Sequence, residues 1–464
     1  NCLVMVSRGV LLRCNTWWGV FVKRRFNRDA TSETVFQSSL MEAKTLHLGW
    51  RKLLVTRVNP RQYGHLALEI AMSLLRARRE QTAVYFLRPS TIVSEALFSL
   101  RSADVKVLPK SAILDAVMRL SWSITDVVTR WRAWRIRTSA ILRYQFRKEI
   151  TAYLQTHKKL RQARRYRLVG AKDYFKVPEA LKAKKLPLYY KRRLLRERVP
   201  IRMCETILPT VQEAARRIGL DLEKPMITLH VREAGFKFGN EMQDAKPGSR
   251  DDSTRNARIE SYFKAIDFLT ARGFTVVRIG DPSMEPVQRS GVIDLATSPH
   301  RSQALEIYCM WRSAFFVSAE AGPVGVSYLT NTPLLTVNAT DPISSYPIRA
   351  DGMLLLKHVR NRQTGERLSP ADLLTGDYLG NLRNLHRYIY ENNTSEQIYA
   401  AVVEMLESLD RLPDETESQR HYRELATEAG TVFRSSLNYV RKWGSDDGFL
   451  GDGRIVRSYV EQSL

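Results

Sequence analysis

The sequence predicts an α/β protein with two domains, of which the second is doubly wound, for three reasons. The chain has 464 residues, which is too many for a single hydrophobic core. Apolar strand patterns alternate with helical patterns in each half of the chain, as expected for parallel strands joined by crossover helices. Three strands of the second half are followed by polar residues, which is typical of the ligand-binding edge of such a sheet.

The first alternation lies in the N-terminal half. Its helix is predicted from apolar side chains at helical spacing, Leu68, Met72 and Leu75. In chain order, the patterns predict a strand at 51–58, a turn-rich loop at 59–65, a helix at 66–79, a strand at 83–87, a helix at 91–100 and a strand at 105–108.

The second alternation begins near residue 200 and is followed, from about residue 370, by a helical region that carries both charges. Short apolar runs bounded by Gly and Pro predict its strands. In chain order, we expect a helix at 204–220, a strand at 226–231, a polar loop to 254, a helix at 259–272, strands at 274–279 and 291–295, a helix at 301–312, a strand at 314–318, a helix at 323–329 and a strand at 333–337.

Positive charge is concentrated in one part of the chain. The net charge is +25, and residues 130–202 hold 24 Lys and Arg against 4 Asp and Glu, an excess of 20. Aromatic residues alternate with these cations, which is typical of helices at an anionic membrane surface. Two alternatives stay open: aromatic residues in a core beneath solvated cations, or a polyanionic partner such as a saccharide or nucleic acid.

Composition also excludes several classes of protein. The hydrophobic fraction of 44% is that of a globular chain. Four cysteines are scattered without a CxxC pair, which predicts neither a zinc site nor a disulfide framework and is consistent with a reducing cytoplasm. The most apolar stretch, residues 3–22, is interrupted by Arg8 and Arg13, so neither a membrane span nor a signal peptide is predicted.

Polar residues follow three predicted strands of the second half, and they are the candidate site. An arginine at a strand end suits a phosphate, because its planar guanidinium matches two anionic oxygens. A helix that begins after Gly322 would direct its free N–H groups at the same crevice. A purely structural role is the alternative for each residue taken alone. The candidates are His230 and Arg232, then Gly280 and Asp281, then Ser318, Glu320, Gly322 and Pro323.

These segments carry a resemblance to known glycosyltransferases. In order and spacing, residues 230–232, 277–281 and 315–323 resemble the donor domain of fucosyltransferase-like GT-B enzymes, and the third segment also resembles the Asp/Ser-Gly-Pro turn of heptosyltransferases. The block from 227 to about 360 is similar to a bacterial glycosyltransferase family with H-x-R-E, D-D-S-x-R-N and R-I-G-D-P motifs. The resemblance covers about 140 residues well and the N-terminal half poorly.

The resemblance implies a GT-B fold, in which two Rossmann-like domains face a cleft, here with extra basic helices in the N-terminal half. We expect an amphipathic segment at 1–45 and an acceptor-side domain at 46–202 with a basic, aromatic helical insertion at 111–200. A donor-binding domain at 203–385 and C-terminal helices at 386–464 follow.

The resemblance also implies roles for particular residues. Arg232 would bind the donor pyrophosphate and be essential, with Arg255 as a second phosphate-binding candidate. Glu233 departs from the fucosyltransferase-like pattern, which leaves the donor sugar open, and Glu320 stands where heptosyltransferases carry Asp or Ser. For Asp251 and Asp252 we favour substrate contact or loop capping over a metal site.

The resemblance to GT-B enzymes implies that the loop after the first strand faces the cleft and contacts the acceptor. The acceptor-binding candidates are Tyr63, Gly64, His65 and Glu69. His65 could act as the catalytic base, since an imidazole titrates near neutral pH, and Glu69 could orient it one turn on. The alternative is a histidine that caps its helix.

The leading hypothesis is an inverting glycosyltransferase of cell-envelope glycan synthesis that needs no metal and no cofactor. Its partners would be a nucleotide-sugar donor, a lipid-linked or polymeric glycan acceptor and an anionic membrane surface bound through residues 111–202. It would lie in the cytoplasm, peripheral on the inner membrane face, and no nucleic acid is expected. The alternatives are a nucleic-acid-binding protein on an α/β scaffold and a non-catalytic nucleotide-sugar-binding protein.

Overall fold

The fold is taken from a computed structural model, which describes residues 42–48, 51–58, 62–88, 91–117, 119–120, 188–233, 251–411, 413–432 and 449–461. The chain divides into two compact units, Asn1–Leu40 and Met41–Leu464, and the fold below is that of the second. Nearly all of the segment expected at 1–45, and the greater part of the basic insertion at 111–200, lie outside the described residues.

A seven-stranded sheet in which all neighbouring strands are parallel forms the centre of the second unit. The strands are β6 (Met226–His230), β7 (Thr275–Arg278), β8 (Val292–Asp294), β9 (Phe316–Ser318), β10 (Leu334–Ala339), β11 (Gly352–Leu356) and β14 (Arg454–Ile455). Their spatial order is β14-β11-β10-β9-β6-β7-β8. Numbered by their order along the chain this is 7-6-5-4-1-2-3, the doubly wound order. The prediction of an α/β fold is confirmed.

Helices cover both faces of this sheet, so its central strands are buried throughout. Ile227 and Leu229 of β6 face one core, whereas Met226 belongs to the other, because successive side chains point to opposite faces. The helices are α1 (Tyr63–Arg79), α2 (Leu188–Leu195), α3 (Leu208–Arg217), α4 (Phe263–Ala271), α5 (Gln303–Arg312), α6 (Val324–Thr330), α7 (Gly376–Gly380), α8 (Ser395–Asp410), α9 (Glu417–Val432) and α10 (Arg457–Glu461).

The N-terminal half contributes a smaller, mixed sheet. β2 pairs in parallel with β3 and antiparallel with β1, and an isolated parallel bridge from Val84 to Val107 extends the sheet at the predicted third strand. Helix α1 packs directly against α6 of the second half. The strands of this sheet are β1 (Glu42–Leu48), β2 (Arg51–Arg57) and β3 (Ala83–Leu87). Two separate antiparallel ribbons are formed by β4 (Leu100–Ser102) with β5 (Ile201–Met203) and, in the second half of the chain, by β12 (His358–Asn361) with β13 (Tyr388–Glu391).

Three local predictions were wrong. The helix expected at 91–100 is a single 3-10 turn, Ala96–Ser99, because Leu97 and Phe98 are buried and the chain continues at once into β4. Helix α3 begins at Leu208, four residues later than expected, since Pro209 is tolerated only in the first turn. The region after 370 is not all helical, because β13 pairs with β12. Among the described residues, no helix is long and apolar enough to span a membrane.

Candidate functional site

The strand order places a crevice between the ends of β6 and β9. After β6 the chain continues into α4, which packs in one core, and after β9 it continues into α6, which packs in the other. Connections that leave on opposite faces open a crevice at the carboxyl ends of two adjacent strands, and ligands bind there in open α/β sheets. Arg232 follows β6 and Glu320 follows β9, so both predicted residues flank this point.

Arg232 is held at the crevice by neutral oxygen atoms. Its Nη1 donates to the carbonyl oxygen of Asp252 at 2.9 Å and to the side-chain oxygen of Asn256. Within the described residues, Arg232 has no carboxylate at ion-pair distance. Burial, followed by the charge of Arg255, lowers the pKa of Arg232 to about 10, so the guanidinium is still charged at neutral pH.

The segment 251–256 crosses the strand ends from β6 towards β9. Asp251 caps the 3-10 turn Asp252–Arg255 by accepting from the Ser253 N–H at 2.8 Å. The Asp252 carboxylate pairs with Arg255 at 2.7 Å. Arg255 also donates to the carbonyl oxygen of Glu320 at 3.2 Å, and this contact connects the segment that holds Arg232 to the end of β9.

Glu320 is tied to a residue that the sequence analysis missed, Arg383. The Glu320 carboxylate accepts from the N–H and hydroxyl of Thr340 at 3.0 and 2.8 Å, and it pairs with the guanidinium of Arg383. Arg383 is buried and also pairs with Asp252 at 3.0 Å. Glu320 therefore organises the site through an arginine that lies far along the chain.

A second missed residue, Lys357, follows β11 at the same edge of the sheet. It is only 2% exposed. Its Nζ donates to the carbonyl oxygen of Asn256 and to Oδ1 of Asn392, both at 2.6 Å. Burial lowers the pKa of Lys357 to about 8, opposed by the charge of Glu320 and supported by that of Arg232. A lysine directly after the apolar run 353–356 was the sequence pattern that could have identified it.

The β7 side of β6 has a different chemistry. Arg278, the last residue of β7, is fully buried and pairs with Glu233 at 2.7 Å and with Asp294 at 3.0 Å. Glu233, the residue that departs from the fucosyltransferase-like pattern, thus takes part in a buried ion-pair network. Asp281 accepts from the N–H and hydroxyl of Ser283 at 3.0 and 2.6 Å, so it caps its own turn.

His230 and Gly280 pack together beside this network. His230 is buried, and its Nδ1 has no hydrogen-bond partner in the described part of the chain. Burial, then the charges of Arg232 and Arg278, lowers the pKa of His230 to about 4, so the imidazole is neutral at physiological pH. Gly280 has a φ of +154°, and a Cβ there would lie 2.6 Å from the side chain of Met284 and 3.7 Å from the His230 ring.

The start of α6 differs from the expectation of free N–H groups aimed at the crevice. The N–H groups of Val324, Gly325 and Val326 donate to the carbonyl oxygens three residues earlier, at 3.2, 3.0 and 2.8 Å. These contacts include the carbonyls of the predicted residues Gly322 and Pro323. Ser318 is buried and donates to the neighbouring carbonyl at 2.8 Å, which is a structural contact.

Tyr63, Gly64 and His65, which were predicted to lie in a loop before the helix, form the first turn of α1 and reach the same region. A Cβ on Gly64 would lie 2.4 Å from the Gly322 carbonyl oxygen, and one on Gly325 would lie 2.3 Å from that of Gly64, so α1 and α6 touch through backbone. Tyr63 is half-buried, and burial, then the charge of Glu306, raises its pKa. His65 is half-buried on the first turn of α1, one turn before the buried Glu69.

No cluster of three or more His, Cys, Asp or Glu that could hold a metal is present among the described residues. In the carboxylate-rich segment 251–256, Asp251 serves as a cap and Asp252 pairs with Arg255 and Arg383. In the described part of the chain, β6 and β11 are therefore followed by the cations Arg232 and Lys357, and β9 is followed by Glu320 in its pair with Arg383.

No protein-family model matches the chain, and no curated protein does. Among solved structures, the glycosyl transferase family 9 protein from Veillonella parvula DSM 2008 is 15% identical, with a TM-score of 0.36 over 79% of this chain and 100% of that one. The E. coli ADP-heptose LPS heptosyltransferase II is 15% identical, with a TM-score of 0.30 over 61% and 83%. The iron-containing heptosyltransferase TibC, in complex with ADP-D-beta-D-heptose, is 13% identical, with a TM-score of 0.21 over 41% and 48%.

Proposed function

We propose that the chain is a GT-B glycosyltransferase that binds a nucleoside diphosphate sugar at the carboxyl ends of β6 and β9. The observation that carries this proposal is the position of Arg232. It lies at the point where the doubly wound sheet reverses its strand order, and its described partners are neutral oxygens. A charged guanidinium without a carboxylate partner favours an anionic ligand, and a diphosphate fits its two-pronged geometry.

Sugar transfer requires stabilisation of the departing diphosphate. As the bond between the anomeric carbon and the diphosphate oxygen breaks, negative charge develops on that oxygen, and Arg232 with Arg255 would stabilise it. This role can be filled by fixed cations alone, so we propose a reaction without a metal. The buried neutral His230 and the Gly280 turn would form the adjoining wall of the donor site.

The acceptor hydroxyl would attack the anomeric carbon from the α1 side, with inversion. His65 would take the hydroxyl proton, and Glu69 would orient the imidazole from the next turn of the helix. The contact of Gly64 with Gly322 and Gly325 supports this placement, because it brings the start of α1 to the residues that follow β9.

The acceptor that we propose is a lipid-linked or polymeric glycan of the cell envelope, with the enzyme on an anionic membrane surface. The charge excess of residues 130–202 supports this proposal. In addition, Ile113, Val117 and Leu120 are exposed, and their spacing puts them on one face of a helix at the start of the basic insertion.

A thermal-shift screen of UDP, GDP, CMP and ADP sugars, followed by turnover assays with the sugar that binds, tests the function. We expect one donor class to raise Tm and Arg232→Ala to abolish the shift. Arg258→Ala is the matched control, since Arg258 lies just beyond the same segment, exposed and paired only with Glu260 among the described residues. A full shift in Arg232→Ala would contradict the proposal, and binding without turnover would indicate a non-catalytic binding protein.

A further inference from the structure

Lys357 is a buried ammonium, and in the part of the chain that the structure describes no carboxylate lies at ion-pair distance from it. Its two described hydrogen-bond partners, Asn256 and Asn392, are both neutral, although an ammonium has three N–H donors. Burying a charge without a partner of opposite sign is costly. Such an arrangement at the ligand-binding edge of a sheet is expected where a ligand supplies the missing charge.

Lys357 is connected to Arg232 through one residue. Asn256 accepts from Lys357 with its backbone carbonyl oxygen and from Arg232 with its side-chain oxygen. Lys357 therefore fixes the backbone of the residue whose side chain orients Arg232. The backbone N–H of the following residue, Ala257, donates to the Arg232 carbonyl oxygen at 2.9 Å, which holds the same segment at a second point.

The neighbouring cations differ from these two. Arg255 and Arg383 both pair with Asp252, and Arg383 also pairs with Glu320. Among the cations that the structure describes in segment 251–256 and at the adjoining strand ends, Arg232 and Lys357 have only neutral contacts, so they are the pair whose charge a bound anion would balance.

We propose that Lys357 is a positioning residue of the anion site, which holds Asn256 against Arg232 and supplies a positive charge that a bound diphosphate neutralises. This inference rests on the proposed function, because it takes the diphosphate of the donor as the anion. The residue after β11 would thus contribute to donor binding in addition to the residues after β6 and β9.

The surroundings of Lys357 determine how this role depends on pH. The charged and titratable groups near it are Arg232 after β6, Glu320 after β9 and, on α10, Tyr459, whose hydroxyl donates to the Lys357 carbonyl oxygen. Because burial lowers the pKa of Lys357 to about 8, the free protein loses this charge above that pH. An anion favours the charged form, so its binding near pH 8 to 9 should draw a proton onto Lys357.

The test is calorimetric titration of the full chain with inorganic pyrophosphate between pH 7 and 10, in buffers of different ionisation enthalpy. We expect affinity to fall as pH rises through about 8, and binding at pH 8.5 to take up a fraction of a proton beyond the uptake of Lys357→Met. Lys357→Met should bind about tenfold more weakly at pH 7, as loss of one charged interaction implies. Lys357→Arg should restore affinity and remove the pH dependence.

Two controls keep the outcomes distinct. Lys264→Met removes an exposed lysine paired with Glu396 and should change neither affinity nor proton uptake. Thermal unfolding of each variant shows whether it still folds. If Lys357→Met does not fold, the comparison of wild type with Lys357→Arg is the test. Equal pH profiles and equal proton uptake in wild type, Lys357→Met and Lys357→Arg would overturn the inference. If Arg232→Ala nevertheless lost pyrophosphate binding, the proposed function would stand. Undiminished binding in Arg232→Ala would instead count against the proposed function.

Discussion

The two sides of β6 place arginine in opposite electrostatic settings. On the β7 side, Arg278 is fully buried between the carboxylates of Glu233 and Asp294. On the β9 side, Arg232 is half-buried and contacts neutral oxygens of the segment 251–256. The first guanidinium is neutralised by two carboxylates, whereas the second has no carboxylate at ion-pair distance among the described residues. Strand-end arginines of similar appearance in the sequence therefore lie in different electrostatic surroundings.

Glu233 makes this difference. It follows Arg232 directly in the chain, yet its carboxylate pairs with Arg278. Burial raises the pKa of Glu233 and the charge of Arg278 opposes that shift. Had Glu233 paired with Arg232, the crevice between β6 and β9 would hold a neutral pair. The residue that departs from the fucosyltransferase-like pattern, Glu233, thus forms an ion pair with Arg278 at the end of β7.

The largest expected effect tests the structural role of Arg278. Arg278→Ala leaves two carboxylates in the interior without their cation, so the free energy of unfolding should fall by about 3–5 kcal/mol. Urea denaturation followed by circular dichroism measures it. The exposed pair of Arg289 with Asp267 supplies the control, because Arg289→Ala should cost under about 1 kcal/mol. Equal costs for the two variants would remove the distinction between a buried network and a surface pair.

The next effect concerns the contact between α1 and the residues after β9. Gly64→Ala places a methyl group 2.4 Å from a backbone oxygen, so the backbones must separate, at a cost of about 1–3 kcal/mol. Gly430→Ala in α9 is the matched control, since its Cβ would meet only one side chain at 3.8 Å and Ala favours a helix. Thermal unfolding of both variants checks the prediction, which fails if Gly64→Ala is as stable as Gly430→Ala.

A smaller effect should appear in the pH dependence of stability. Burial lowers the pKa of Lys357 from 10.5, the ordinary value for an exposed lysine, to about 8 in the folded chain. Between these values the unfolded chain binds more protons, so the contribution of Lys357 to stability rises with pH, by at most about 1.4 kcal/mol per pH unit. Comparing urea midpoints of wild type and Lys357→Met from pH 7 to 10 isolates it. A constant difference between the two proteins across this range would contradict the prediction.

The smallest expected change in stability completes the comparison. Arg232→Ala removes a half-buried side chain with neutral contacts, so the free energy of unfolding should change by under about 1 kcal/mol while pyrophosphate binding is lost. Denaturation and calorimetry on the same preparation measure both quantities. If Arg232→Ala destabilised the chain as strongly as Arg278→Ala, the two sides of β6 would not differ in the way that their contacts indicate.

Much of the second half could be predicted from the sequence, because its strands are short apolar runs bounded by Gly or Pro. Strand β11 was missed although it is equally apolar, and with it Lys357, the residue that follows it. Arg383 could not be found by pattern, since it lies in a loop with a left-handed φ of +63°, 131 residues from its partner Asp252. The predicted helix start after Gly322 was correct to one residue, yet its N–H groups are already satisfied within the turn.

The sequence by itself determined the class of fold and the cation that follows β6, because hydrophobic periodicity and strand-end polarity are local properties of the chain. Only the tertiary structure added Lys357 after β11 and decided which of the strand-end cations pair with carboxylates. Ion pairs join residues that no local pattern connects, such as Arg278 with Glu233 and Arg383 with Glu320, 45 and 63 positions apart. Among the described residues, Asp252 and Glu320, the carboxylates beside Arg232 and Lys357, are bound to other arginines, and the anion site that we propose rests on that pairing.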